Sequence, residues 1–199
     1  TKQRKRGKKA GGIKMTGLLD LTALELGRKI QAQEVTAMEA LDAVFGQIDK
    51  KEKEIHAYVT IDRENAYKQA QKVQAEIENG TLTSPLAGVP VAIKDNLCTK
   101  GLLTTCSSKI LGNFIPPYTA EAVQKLEQAG AVIIGKTNMD EFAMGSTTET
   151  PAFWNLRNSW NNENVPGGFF GGFFAASRGK GMFFYICSGS GRVTSQARV

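Results

Sequence analysis

Apolar residues in the first eighty positions recur at helical spacing. Leu41, Val44, Phe45 and Ile48 fall three and four apart, which lays them along one face of a helix. They follow Thr36-Ala-Met-Glu39, and an earlier helical segment follows Thr22-Ala-Leu-Glu25. Both tetrapeptides have capping-box form, in which the Thr hydroxyl accepts from an orphan backbone N–H and the Glu reaches back. A third helix is predicted from about Asp62 to Asn79, with Ala66, Ala70, Val73 and Ile77 on one face and Gly80 as its stop. These stripes read as core, not as ligand contacts.

The middle of the chain changes period. "GVPVAIKDN", from Gly88, is a short apolar run that stops in polar residues. "TAEAVQKLEQAG" reads as a helix with Thr119 as N-cap and Gly130 as stop, and "AVIIGKTN" gives a second apolar strand. Strand, helix, strand predicts a parallel α/β unit. Polar residues just past such strands lie at the carboxyl edge of the sheet, where open α/β sheets place their sites. The last part breaks the pattern. Six of the ten Phe lie between Phe169 and Phe184 without a period, and "SGSGRVTSQARV" after Cys187 yields no element.

Composition adds one correction to first appearances. The 199 residues carry a formal charge of +6, which invites a nucleic-acid reading. Residues 1–14, "TKQRKRGKKAGGIK", hold seven Lys and Arg and no acid, and without them 18 basic residues face 19 acidic ones. The basic balance therefore belongs to a tail. "GGIKM" can be encoded as GGA GGA ATA AAA ATG, a purine-rich ribosome-binding sequence before a start codon. Residues 1–14 are accordingly expected to be translated leader ahead of Met15, the alternative being a disordered basic tail. Cys98, Cys106 and Cys187 form no CxxC pair, which fits a reducing compartment. No apolar run approaches the ~20 residues of a membrane span, and the basic start lacks the apolar core of a secretory signal. The expectation is a soluble cytoplasmic protein.

Lys94 is the first candidate for chemistry. It ends the run Val91-Ala92-Ile93 and precedes Asp95 and Asn96. A desolvated lysine favours its neutral form, and a neutral amine accepts a proton from a hydroxyl. Lowering a lysine pKa from ~10.4 to about 7 costs roughly 4–5 kcal/mol, so a fold must enforce it. By itself, a strand-end lysine reads as a solvated edge charge.

Three segments together carry more. "PLAGVPVAIKDN", "GAVIIGKTNMDEFAMGSTTET" and "NVPGG" followed by "GG" occur in that order. They resemble the amidase signature family, over roughly Leu18 to Gly172. Within it, "KTNMDEFAMGSTTE" resembles the branch formed by the glutaminase (A) subunits of bacterial glutamyl-tRNA(Gln) amidotransferases. The resemblance implies an amidase signature fold, α/β with a mixed sheet surrounded by helices, preceded by N-terminal helices and continuing past residue 199. Domain expectations follow: residues 1–14 tail, 15–172 the N-terminal part of that domain, 173–199 a divergent end.

The resemblance also implies a Ser–Ser–Lys triad. A neutral lysine takes a proton from a bridging Ser on a cis peptide, and that Ser activates a nucleophilic Ser further along. Lys94 matches the lysine. The family's Gly-Gly-Ser-Ser-Gly-Gly loop matches Gly167, Gly168, Phe169, Phe170, Gly171 and Gly172. Phe169 thus occupies the bridging-Ser position, and Phe170 and Phe173 also replace Ser. The Asp-Thr-Gly-Gly-Ser segment that holds the nucleophile is missing. Met144, Gly145, Ser146 and Thr147 match a loop beside the amide site, with Met144 as an apolar wall. The implied substrate is glutamine, and the implied partners are the B and C subunits of the amidotransferase. Glu-tRNA(Gln) is reached through the complex, and the B partner uses ATP and Mg. The glutaminase subunit itself needs no metal or organic cofactor. As written, the chain is expected to be inactive.

Each Ser-to-Phe change needs only TCN to become TTN. "CSGSGRV", encoded as TGC TCT GGG TCC GGA CGG GTG and read one base later, gives Ala-Leu-Gly-Pro-Asp-Gly, close to the family's Ala-Leu-Gly-Ser-Asp-Thr-Gly-Gly. Sequencing or frameshift damage is therefore expected over an evolved pseudoenzyme. Two rivals remain: a stand-alone amidase of small amides and a catalytically dead interaction protein. Other motifs fail. "SGSGRVT" puts Thr194 at the third glycine position of a dinucleotide loop, and "RGKG" lacks P-loop spacing. His56 is the only histidine, so no His-based triad is available, and it reads as a surface side chain. Asp140 and Glu141 read as capping or loop-positioning groups.

Overall fold

Two capping boxes open the helical part. In the computed structural model, which describes residues 15–145, 148–158, 172, 176, 181–189 and 192–197, helix α1 spans Met15–Leu18, α2 spans Ala23–Gln31 and α3 spans Ala37–Ile55. Thr22 accepts from the Glu25 amide at 3.2 Å while the Glu25 carboxylate accepts from the Thr22 amide at 2.8 Å. Thr36 and Glu39 repeat the arrangement ahead of α3. Strand β1, Tyr58–Ile61, leads to α4, Arg63–Glu78, capped by Asp62. Gly80 then takes φ +71, which suits a residue without a Cβ at a helix end.

Strands β2 (Pro90–Lys94), β3 (Val132–Thr137), β4 (Phe184–Gly189) and β5 (Arg192–Ala197) complete a five-stranded sheet ordered β1-β3-β2-β4-β5. The β2–β3 and β2–β4 pairs are parallel, and the two outer pairs are antiparallel. The sheet is therefore mixed, as expected. Helix α5, Glu121–Gln128, makes the crossover from β2 to β3.

Every residue of β2 and β3 is buried, which explains their continuous apolar runs. Ala92, Val132 and Ile134 face α2, α3 and α4 in one core, and Val91, Ile93 and Ile133 face α5 residues Val123 and Leu126 in another. Helices thus cover both faces of the sheet.

Two local expectations fail. Ala120, not Thr119, is the N-cap of α5, without a side-chain cap bond. The Thr119 hydroxyl instead accepts from the Lys100 amide at 3.0 Å: the connection from β2 claims the side chain before the helix does. The second failure is the end of the chain. Strand β5 pairs with β4 from Phe184↔Ala197 to Gly189↔Arg192, where the sequence offers no clear alternation. The signal present there is a two-residue Ser-Gly connection between paired positions, a spacing suited to hairpins.

Candidate active site

The carboxyl ends of β2 and β3 meet in one row. Lys94 pairs with Thr137, and Thr137 pairs with Tyr58 of β1. The Lys94 side chain is 2 % exposed, so the solvated-edge reading of this lysine is wrong. Lys94 shares its sheet face with Ala92, toward the α2–α4 core, because successive strand residues alternate.

One turn past the strand, the Lys94 carbonyl accepts from the Leu97 amide at 3.0 Å. Asp95 is fully buried. Its carboxylate accepts from the Thr105 amide at 3.1 Å, the Thr105 hydroxyl and the Ser107 amide at 3.0 Å. Its backbone carbonyl accepts from the Cys106 amide at 3.1 Å. Burial nevertheless pushes the Asp95 carboxyl up, against those bonds and the Lys136 charge.

The segment 104–108 is folded over the strand ends by these bonds. Cys106 and Ser107 both take left-handed φ, at 53° and 52°, a costly choice for non-glycine residues that persists only where surroundings enforce it. The Ser107 hydroxyl donates to Asn138 Oδ1 at 2.9 Å and accepts from the Met139 amide at 3.1 Å. Burial, with Asp95 adding to it, pushes the Cys106 thiol up to about 11.

Asn138 is the hinge of the row. Its side chain donates to the carbonyls of His56 and Trp154, both at 3.1 Å. A Cβ at Gly172 would lie 2.2 Å from the Asn138 carbonyl oxygen, so the last glycine of the Gly-Gly-Phe-Phe-Gly-Gly segment is pressed against this backbone. The structure thereby brings Lys94 and Gly172 to the same strand ends. Gly167, Gly168, Phe169, Phe170 and Gly171 lie outside the described residues.

The loop after β3 is organised by Asp140, as expected. Its carboxylate accepts from the Thr148 amide at 3.1 Å and the Thr150 hydroxyl at 2.8 Å. Gly145 sits so close that a Cβ would come within 2.4 Å of the Asp140 carboxyl carbon. Glu141 accepts from the Ser108 hydroxyl at 2.6 Å. Met144 is 79 % exposed, and Ser146 and Thr147 lie outside the described residues. His56 is half-buried at the end of α3, in the left-handed conformation, with its ring 5.9 Å from that of Trp154. A cavity of about 470 Å³ beside it is lined by Ile48, Glu52, Tyr58 and Trp154 among others, and Lys94 does not reach it. Among the described residues no group of three or more His, Cys, Asp or Glu could hold a metal ion.

Sequence reasoning missed Lys136. Its side chain is fully buried and donates to the Leu97 carbonyl, to the Thr104 hydroxyl at 2.9 Å and to Thr99 at 3.4 Å. Burial lowers its pKa to about 8. The available signal was a lysine directly after the apolar run Val132-Ile133-Ile134-Gly135.

The amidase family model matches residues 39–184. This chain belongs to the amidase family. The match runs through the whole Phe cluster, beyond the Gly172 limit read from motifs. The glutamyl-tRNA(Gln) amidotransferase A subunit of Agathobacter rectalis is 62% identical over 174 residues, 87% of this chain and 35% of that protein. The chain thus spans about a third of the length of the curated relatives it matches. The solved amidotransferase A subunit of Thermotoga maritima is 29% identical, with a TM-score of 0.61 over 91% of this chain and 35% of that one. Native peptide amidase from Stenotrophomonas maltophilia is 26% identical, with a TM-score of 0.76 over 84% of this chain and 36% of that one. Backbone likeness leans toward the peptide amidase, whereas sequence identity leans strongly toward the amidotransferases. Among the described residues no helix is long and apolar enough to cross a membrane.

Proposed function

We propose that this chain carries the lysine half of a Ser–Ser–Lys amide-hydrolysing centre, in the glutaminase subunit of a glutamyl-tRNA(Gln) amidotransferase. Lys94 is the base. The observation that carries this reading is a lysine buried at the end of β2, in the row where Gly172 packs on Asn138. Sequence identity, rather than backbone likeness, supports the amidotransferase branch over a stand-alone amidase.

The chemistry follows from burial. A desolvated amine at the strand end favours its neutral form and takes the proton of a neighbouring hydroxyl, which then activates a second hydroxyl for attack on the amide. In the intact protein that amide is glutamine, and ammonia is released. The B partner uses it, with ATP and Mg, to convert Glu-tRNA(Gln) into Gln-tRNA(Gln), and the C partner completes the complex in the cytoplasm. The glutaminase subunit needs no metal or organic cofactor for its step.

The chain as written lacks the hydroxyls. Phe169 offers no proton path at the bridging position. Losing a triad member in serine hydrolases costs up to about a million-fold in kcat. Purified protein incubated with glutamine should therefore release no ammonia above the Lys94→Ala form. Release that disappears in Lys94→Ala would refute the inactivity while supporting the base. Co-purification with two partner subunits separates this reading from the stand-alone amidase.

A further inference from the structure

We propose that Lys136 and Asp95 form a buried clamp that positions Lys94, acting as a positioning pair and touching no substrate. Only its consequence for catalysis rests on the reading of Lys94 as a base. The clamp itself follows from geometry.

The first observation is a register shift. Val91 pairs with Ile133, but Ala92 pairs with Gly135, so Ile134 is an extra residue in β3. Without that bulge, Lys94 would stand opposite Lys136 on one face. With it, Lys136 pairs with Ile93 and Lys94 with Thr137, so the two lysines leave the sheet on opposite faces. Two buried ammonium groups side by side would disfavour each other's charge. The bulge avoids this and sends Lys136 under the connection that follows β2.

The second observation is a relay of bonds. Lys136 donates to the Leu97 carbonyl, and the Leu97 amide donates to the Lys94 carbonyl at 3.0 Å. Through Thr104, at 2.9 Å, Lys136 also holds the start of the segment that folds back on Asp95. Asp95 secures the other side through Thr105 and Ser107, and its own amide donates to the Thr137 carbonyl at 3.2 Å. The backbone on the exit side of Lys94 is thus fixed from two directions by one buried cation and one buried anion. Each is fully or almost fully removed from solvent, an arrangement that costs stability unless both charges are satisfied. The charged and titratable groups acting on Lys136 are Asp95, Cys98 and Cys106, and Lys94 also acts on Cys106.

The test needs neither substrate nor turnover, so its outcome is separate from that of the proposed function. The full chain is labelled with ¹³C at lysine Cε, the Lys94 signal is assigned with Lys94→Arg, and it is titrated to about pH 10, near the free lysine value. Lys136→Met should move the Lys94 midpoint by at least about half a pH unit. It should also speed hydrogen exchange at the Thr105 and Ser107 amides about tenfold or more, with α3 and α4 still protected. Adding Asp95→Asn removes the stranded carboxylate. The double variant should recover stability toward wild type while the Lys94 midpoint stays displaced. Should Lys136→Met not fold, Thr104→Val, which removes one Lys136 partner and no charge, supplies the test with the same two readouts. An unmoved Lys94 midpoint in the folded variant, or a uniform rise in exchange across α3 and α4, overturns the clamp.

Discussion

Glu52 is a carboxyl group in a place that disfavours charge. It lies in the last turn of α3, at the negative end of the helix. Burial raises its pKa to about 7, even though it accepts from the Tyr58 amide at 2.7 Å. The native value is above the free value of about 4.3. Between those two pH values the native state binds more protons than the unfolded chain, so stability falls as pH rises through that window. Glu52→Gln keeps an acceptor for Tyr58 and removes the titration. After allowing for partial exposure, it should stabilise by about 2 kcal/mol at pH 8 relative to its effect at pH 4. Urea denaturation at the two pH values measures this, and an equal effect at both would contradict the assignment. In the sequence this residue was hidden inside "DKKEKE", which reads as a solvated helix face. Lys94 was legible because an apolar run leads directly into it. What stayed illegible was burial that depends on tertiary neighbours: Lys136 follows the same kind of run, but only its register shows what it touches.

At the scale of elements, the bulge in β3 decides which face each lysine takes. Gly135 makes it possible. A Cβ there would meet the Thr60 carbonyl oxygen at 2.2 Å, a backbone atom that cannot swing aside. Gly135→Ala should therefore destabilise the chain by about 2–3 kcal/mol, read as a lowered urea midpoint. A midpoint within error of the unmodified chain would show that the strands relax freely. The helices were legible because caps and stripes are local: Thr22, Thr36 and Asp62 all cap as their spacing implies. Strand β2, helix α5 and strand β3 were legible for the same reason, as continuous apolar runs around an amphipathic segment. The α5 cap was not, since Lys100 and Thr119 are far apart in sequence. Strand β5 was not, since its order comes from pairing with β4 rather than from an alternation of its own.

Across the molecule, the parallel β2–β3 and β2–β4 pairs place Lys94 centrally in the sheet, with helices over both faces. The folded segment 104–108 and the glycine at 172 then converge on the strand ends from opposite sides in sequence. On the proposed reading Lys94 is the base on this scaffold, and Phe169 and Phe170 stand where that reading requires serine. The most direct measurement is ammonia release from glutamine after repair. Phe169 and Phe170 are changed to Ser, and the downstream part of a relative's glutaminase subunit is joined in frame. Activity should return and should fall at least about a thousandfold in Lys94→Ala. Lys94→Arg should fail as well, because arginine stays protonated and cannot act as a base. A repaired protein whose Arg form releases ammonia as fast as its Lys form would contradict the assignment of Lys94.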